Sequence, residues 1–170
     1  MFLIFAVDEN WNIGYKGDVL IKISEDLRRF RRFTINNIII MGRKTFDSLP
    51  DSKPLPDRIN IVMTRNKEFN PPDTLVVHSP EELVETLKRI NPDGEMEHWC
   101  IGGGIIAEHL LPMCTKAYIT KVYKNFPKAD AHLHNLDEDP EWIVDKVYEM
   151  KNFENIDYQY VDYVRISDLS

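Results

Sequence analysis

The segment IKISEDLRRFRRF (21–33) sets the acidic pair Glu25–Asp26 among basic residues and phenylalanines. A helix over 24–34 with Ser24 as N-cap accounts for that order, because Ser favours the cap and acids complement the dipole of the first turn. With roughly 100° of turn per residue and Asp26 at zero, Phe33 falls near -20°, Phe30 near 40°, Ile23 near 60° and Leu27 near 100°. Arg28 and Arg32 lie on the far side, while Arg29 and Arg31 flank the apolar arc into which Asp26 points. Two readings stand open. Asp26 is a wet first-turn acid capping backbone N–H groups, or a pocket carboxylate awaiting a ligand with paired N–H donors, since an unpaired buried charge is costly.

A second chemistry sits in the glycines. IIIMGRKTF places Gly42, Arg43, Lys44 and Thr45 after an apolar run and at the start of a short helix, where free N–H groups and the dipole favour an anion. WCIGGGIIAEHLL repeats the arrangement with Gly102, Gly103 and Gly104, whose missing side chains let backbone approach a pyrophosphate. Each alone is equally a tight strand-to-helix turn, but two such junctions suit a dinucleotide. The run G-G-G-I-I-A does not match G-x-G-x-x-G, so a standard Rossmann half is not expected. Arg43, Lys44 and Arg65 could converge on an extra phosphate, favouring NADPH over NADH; taken singly each is a solvated surface charge.

The elements that must position these residues follow from apolar runs. Continuous stretches at 2–7, 37–42, 59–64, 74–78 and 98–103 predict strands buried on both faces, as in a parallel sheet. Helices are predicted at 24–34, 43–49, 80–90 and 104–111, the third opening with Ser79 as N-cap and Pro80 at the first helical position. Stretches 116–123, 142–151 and 156–166 alternate more, with NFEN (152–155) as a hairpin turn between the last two. The expectation is α/β: a single domain over 1–170, a central mainly parallel sheet of about eight strands with an antiparallel C-terminal hairpin, and helices on both faces. The longest loops, 8–23 and 50–57, are expected to be functional. At 170 residues a disulfide-free core is feasible. A net charge of -7 argues against a surface built for nucleic acid. Cys100 and Cys114 make no C-x-x-C pair, and the start meets Asp8 and Glu9 too early for a membrane span, so the expectation is a cytoplasmic monomer.

FAVDENWNIG, SEDLRRFRRFT, IIMGRKTFDSLP, KPLPDRINIVMTR, CIGGG and AYITKVY occur in the order and nearly the spacing of dihydrofolate reductases, and the chain resembles that family over essentially its whole length. The resemblance implies NADPH-dependent reduction of 7,8-dihydrofolate to tetrahydrofolate, with hydride delivered to C6 of the pterin and a proton gained at N5. It implies that Asp26, assisted by Thr120, pairs with the pterin 2-amino group and N3. Ile4, Phe5, Leu27, Phe30, Leu49, Leu55 and Ile101 would wall the substrate pocket, and Arg58 would clamp the glutamate α-carboxylate of the substrate. Ala6, Ile13, Gly14, Asp18 and Val19 match the nicotinamide side and its lid (14–22). Gly42, Lys44, Thr45, Ile101, Gly102, Gly103, Gly104, Ile105 and Ile106 match pyrophosphate contacts. Arg43, Met63, Thr64 and Arg65 match the end carrying the 2′-phosphate, and His78 the adenine edge.

Three departures stand against the family pattern. Val19-Leu20-Ile21 occupies the place of Leu-Pro-Trp, Ala107 that of a Tyr or Phe, and the run from Thr120 to Asp130 is about one residue longer than the usual family spacing, implying a bulge. Ile21 and Ala107 imply a pocket that keeps folate reduction and binds trimethoprim-like diaminopyrimidines weakly. Two other classes remain to be weighed: a riboflavin-pathway type of pteridine or pyrimidine reductase, and a metal protein using Asp130, His132 and His134 on one strand face.

Overall fold

Apolar runs without polar interruption become strands enclosed from both sides. In the computed structural model, which describes residues 1–169, strand β4 (Ile38–Gly42) is buried at every position. It is one of the strands β1 (Phe2–Val7), β5 (Ile59–Met63), β6 (Leu75–Val77), β7 (His98–Gly102), β8 (Lys116–Val122), β10 (Trp142–Val147), β11 (Lys151–Phe153) and β12 (Ile156–Arg165) that build the main sheet. The order is β10-β12-β8-β1-β7-β4-β5-β6, with β11 also paired to β12, giving nine strands where about eight were expected. Pairs among β1 and β4 to β8 are parallel. Strand β12 runs antiparallel to β8, β10 and β11.

Side chains alternate across a strand, so each strand feeds two cores. Leu3, Phe5, Val7, Ile38, Ile40 and Ile61 join Leu83 and Leu87 of α3 (Pro80–Ile90) and Ala107 and Leu110 of α4 (Gly104–Leu110) on one face. Ile39, Met41, Val62 and Trp99 meet Phe33 of α1 (Ser24–Thr34) and Phe46 of α2 (Arg43–Ser48) on the other. Helices therefore cover both faces, as the sequence predicts.

Local expectations fare unevenly. Ser79 caps α3 as expected, its Oγ accepting from Glu82 N at 3.1 Å. Ser24 does not cap α1. The cap is Ile23, whose carbonyl accepts from Leu27 N and whose side chain is buried beside Val122, Tyr158 and Tyr160, so packing rather than a hydroxyl fixes the helix start. The continuous strand expected over 142–151 breaks into β10 and β11, and the turn is made by Glu154 and Asn155, both at positive φ. The stretch 8–23 is not all loop: β2 (Asn12–Tyr15) and β3 (Asp18–Val19) form a hairpin, joined by β9 (Ala131–His132) in a second sheet of three strands. Its turn, Lys16 at φ 49 and Gly17 at φ 82, has the handedness that two-residue hairpins need.

The loop 50–57 is held by one buried amide. Asn60 Oδ1 accepts from Leu55 N at 2.9 Å, and its Nδ2 donates to the carbonyls of Leu55 at 2.9 Å and Arg58 at 3.1 Å. Asn60→Ala leaves the Leu55 groups unpaired and is expected to cost on the order of 2 kcal/mol, read by chemical denaturation. At the other junction, a methyl group on Gly104 would lie 2.0 Å from the backbone oxygen of His132. Gly104→Ala is therefore expected to push α4 away from β9 and to lower the melting temperature by several degrees, read by calorimetry.

Candidate active site

The cleft arises from unequal pairing. Strand β1 pairs with β8 from Phe2 to Val7 but with β7 only at Phe2↔Trp99 and Leu3↔Cys100. Beyond Leu3 the two strands part at their C-terminal ends, leaving Ile4, Phe5 and Ala6 on one lip and Ile101 and Gly102 on the other. Crevices of this kind, outside the carboxyl ends of parallel strands, are where open α/β sheets take ligands. The β4–β7 register also slips, from Ile40↔Cys100 to Met41↔Gly102, which displaces Ile101 from the ladder.

Asp26 comes to this cleft from the first turn of α1. Thr120 Oγ1, on buried β8, donates to Asp26 Oδ1 at 2.6 Å. Burial raises the proton affinity of the carboxyl above the ordinary Asp range; the Thr120 bond and then Arg29 oppose that rise, and Glu25 adds to it. Asp26 Oδ2 has no hydrogen-bond partner among the described residues, which leaves an acceptor open to a ligand. Ile4, Leu49, Leu55 and Ile101 pack in the cluster on this side of the sheet. Leu27 remains 50% exposed and Phe30 half-buried beside Asp26, so apolar surface is left uncovered there. Phe5 differs: its ring belongs to the opposite core, next to Gly102, so what it offers the cleft is backbone.

Arg58 stands at the outer end. Its Nε donates to Pro56 O at 2.9 Å and Nη1 to Thr34 Oγ1 at 3.2 Å. Burial, then the nearby Arg31, pull its pKa down and Asp57 opposes them, so the guanidinium is a partly desolvated cation held in place by backbone and hydroxyl. That suits a carboxylate better than a freely solvated arginine would.

The two glycine junctions are neighbours. Helix α2 starts from Gly42 and α4 from Gly103, both without a side-chain cap and without an acid in the first turn. A methyl on Gly42 would lie 2.7 Å from Ile106 Cγ1, and one on Gly102 3.3 Å from Phe5 Cε1 and 3.5 Å from Thr45 Oγ1, so the backbone here forms a cradle that any side chain would fill. The Gly102–Gly103 peptide is cis. The Gly42↔Met63 register sets Arg43 beside Thr64, with exposed Lys44 and Arg65 close in sequence. Arg43 also lies 4.6 Å from the Phe69 ring centroid and 3.6 Å from Asp47. His78 Nδ1 meets Thr64 O at 2.8 Å, turning it toward that strand end. Ile105 is exposed. Open N–H donors, backbone without side chains and three cations fit a pyrophosphate with a further phosphate.

The β2–β3 hairpin carries Ile13, Gly14, Asp18 and Val19. Asp130 accepts from Lys16 N at 3.1 Å and its own N–H donates to Gly14 O, while the β2–β9 register slips between Asn12 and Gly14, an irregularity on the β2 side and not in the run 120–130 where a bulge was expected. Leu20 and Ile21 lie over Ala6, Val7 and Val122. Ala107 is 1% exposed within the core, so the space freed by its small side chain is closed by packing. Asp130, His132 and His134 do not converge: His132 pairs with Asn12 and His134 with Asp139 at 2.7 Å, and no group of three such residues could hold a metal among the described residues. Sequence reasoning missed the layer behind Asp26, made of Arg29, Tyr158, Tyr160 and Asp162. The signal was the position of Arg29 three residues after Asp26, at the edge of the apolar arc.

Comparison with known proteins agrees with this geometry. A family model described as dihydrofolate reductase matches residues 1–165. The chain is 34% identical to the dihydrofolate reductase of Aedes albopictus, covering 96% of each chain. It is 33% identical to that of Bacillus subtilis (strain 168), covering 94% of this chain and 91% of that one. A dihydrofolate reductase from Enterococcus faecalis, solved with NADP(H) and RAB-propyl, superposes with a TM-score of 0.84 at 28% identity over 97% of this chain and 95% of that one. With its crevice, glycine cradle and inward carboxyl in place, the chain belongs to the dihydrofolate reductase family.

Proposed function

We propose that Asp26 is the carboxyl through which this chain reduces 7,8-dihydrofolate to tetrahydrofolate with NADPH. The observation that carries the assignment is a carboxyl drawn largely out of solvent, with one oxygen held by Thr120 and the other without a hydrogen-bond partner among the described residues. Two N–H donors on one edge of a pterin, at N3 and the 2-amino group, suit that open face. A neutral imine accepts hydride poorly, so the reaction needs a proton at N5. The raised proton affinity lets Asp26 keep a proton at pH values where a surface Asp has lost it. NADPH supplies the hydride when bound. Gly42 and Gly102 to Gly104 would hold its pyrophosphate, and Arg43, Lys44 and Arg65 its 2′-phosphate. Ile4, Leu49, Leu55 and Ile101 exclude water from the reacting edge, and Arg58 fixes the far carboxylate. The hairpin of Ile13 to Val19 closes over the nicotinamide side.

We read residues 1–170 as one domain that works as a cytoplasmic monomer on a small molecule, without nucleic acid. Supporting a reduced compartment are the free, buried Cys100 and Cys114. Among the described residues no helix is long and apolar enough to cross a membrane. The riboflavin-pathway alternative is not favoured; comparing NADPH oxidation with dihydrofolate and with an aminouracil substrate separates the two, and NADH in place of NADPH tests the phosphate site. We also infer that Ile21, packed among apolar neighbours with no hydrogen-bonding group, weakens diaminopyrimidine binding. Inhibition by trimethoprim at the potency usual for bacterial enzymes would overturn that.

Arg58→Gln is expected to raise KM for dihydrofolate at least tenfold while kcat changes little, read by steady-state kinetics. Asp26→Asn is expected to bind NADPH but to lose most turnover, increasingly as pH rises. A carboxyl whose pKa is raised by folding binds its proton more tightly in the native chain, so its stabilisation is present at low pH and lost as pH climbs through the native value. Melting temperatures are therefore expected to favour Asp26→Asn over the wild type more at neutral than at acid pH.

A further inference from the structure

We propose that Arg29 is a positioning residue, a buried cation one helical turn behind Asp26 that sets how tightly Asp26 holds its proton. The proposal rests on the reading of Asp26 given above. Arg29 is only 5% exposed, where arginines are nearly always wet. Residues three apart on a helix are surface neighbours, so its side chain shares the inner side of α1 with Asp26. The guanidinium lies 3.9 Å from the Tyr160 ring centroid, with Phe33 at 4.9 Å and Tyr148 at 5.9 Å. Tyr160 stands opposite Thr120 in the β12–β8 ladder, and Thr120 is the residue that bonds Asp26. Cation, ring, hydroxyl and carboxyl thus form one connected group.

Compensation of this cation is incomplete. Its anionic partner is Asp162, whose Oδ1 lies 3.4 Å from Nη2 and whose Oδ2 is taken by the Tyr148 hydroxyl at 2.8 Å. Arg29 Nη1 is buried without a partner, as is the Tyr160 hydroxyl. An ion pair kept this dry costs desolvation that apolar residues of similar size would not. The field of the cation is little screened by solvent, and that field reaches Asp26 and favours its anion.

Other charged and phenolic groups face this site. On α1, Glu25 accepts from the Tyr158 hydroxyl at 2.7 Å and pairs with Lys151 of β11 at 3.0 Å, and Arg32 lies farther along the helix. From β8 comes Tyr118, itself near Glu97 and near Asp145 of β10. Tyr148 follows β10, and Tyr158, Tyr160 and Asp162 come from β12. Burial raises the pKa of Tyr118, Tyr158 and Tyr160, that of Tyr160 to about 12, and the hydrogen bond to Asp162 raises that of Tyr148. Burial thus holds the proton on Asp26, the Thr120 bond and Arg29 loosen it, and the balance fixes the pH at which hydride transfer declines.

The test follows the Asp26 carboxyl by carbon-13 NMR in the enzyme without ligands, using Asp26→Asn to assign its signal, and follows the pH profile of hydride transfer in parallel. Arg29→Gln is expected to move the carboxyl midpoint up by about one pH unit, and Asp162→Asn to move it down by about half a unit. Arg29→Lys should stay near the wild type. Both charge-removing variants break the same ion pair, so a merely structural role would shift the midpoint the same way in both or in neither, and either result overturns the proposal. If Arg29→Gln does not fold, the Arg29→Gln/Asp162→Asn double variant leaves no buried charge orphaned. A smaller upward shift is expected there, and no upward shift overturns the proposal. If the carboxyl midpoints move as expected while the rate profile stays in place, Arg29 is upheld and the part of Asp26 in the reaction fails.

Discussion

The site depends on strands β1 and β7 staying together for only two residues. Had the ladder continued past Leu3↔Cys100, Ile4 and Ile101 would be adjacent strand residues and no crevice would separate them. Because β1 remains bonded to β8 along its whole length, the parting costs the sheet little. Its two lips are carried by interior strands of the sheet, each paired on both sides. A rigid scaffold on both sides is what lets a small cleft hold a planar ring in one orientation.

Around that crevice the two halves of the chemistry reach the same place by different means. The carboxyl arrives on a helix whose start is fixed by Ile23 packing on Val122 and the tyrosines of β12, so core packing aims the acid. The glycine junctions are built from backbone: bare Gly42 and Gly102 let α2 and α4 approach each other, bare Gly104 lets α4 approach β9, and neither helix start carries a side-chain cap. The C-terminal antiparallel strands, distant in sequence from either, supply the polar layer behind the acid through Tyr158, Tyr160 and Asp162.

Much of this was legible from single segments. Five continuous apolar runs gave the buried strands, the pattern SPEEL gave a capped helix, and Gly-Arg-Lys-Thr with Gly-Gly-Gly marked two strand-to-helix turns whose helices start without a side-chain cap. Ser24 misled because a favourable cap residue yields to a large apolar neighbour that gains more by burial. Stretch 142–151 misled because alternation alone does not report the bend between Val147 and Lys151. Arg29 escaped because a helical wheel places charges by angle and carries no information on what comes to lie across from them.

What the sequence determined by itself is therefore local and periodic: strand and helix identity, the inward angle of Asp26, the glycines at two helix starts, and the linked motifs that mark the family. What only the tertiary structure decided is which distant groups meet. Thr120 reaches Asp26 across 94 residues and Asp162 reaches Arg29 across 133. Such contacts are set by strand register and by the divergence of β1 from β7, and the proton affinity of the carboxyl is set by burial that no segment possesses until the chain has closed around it.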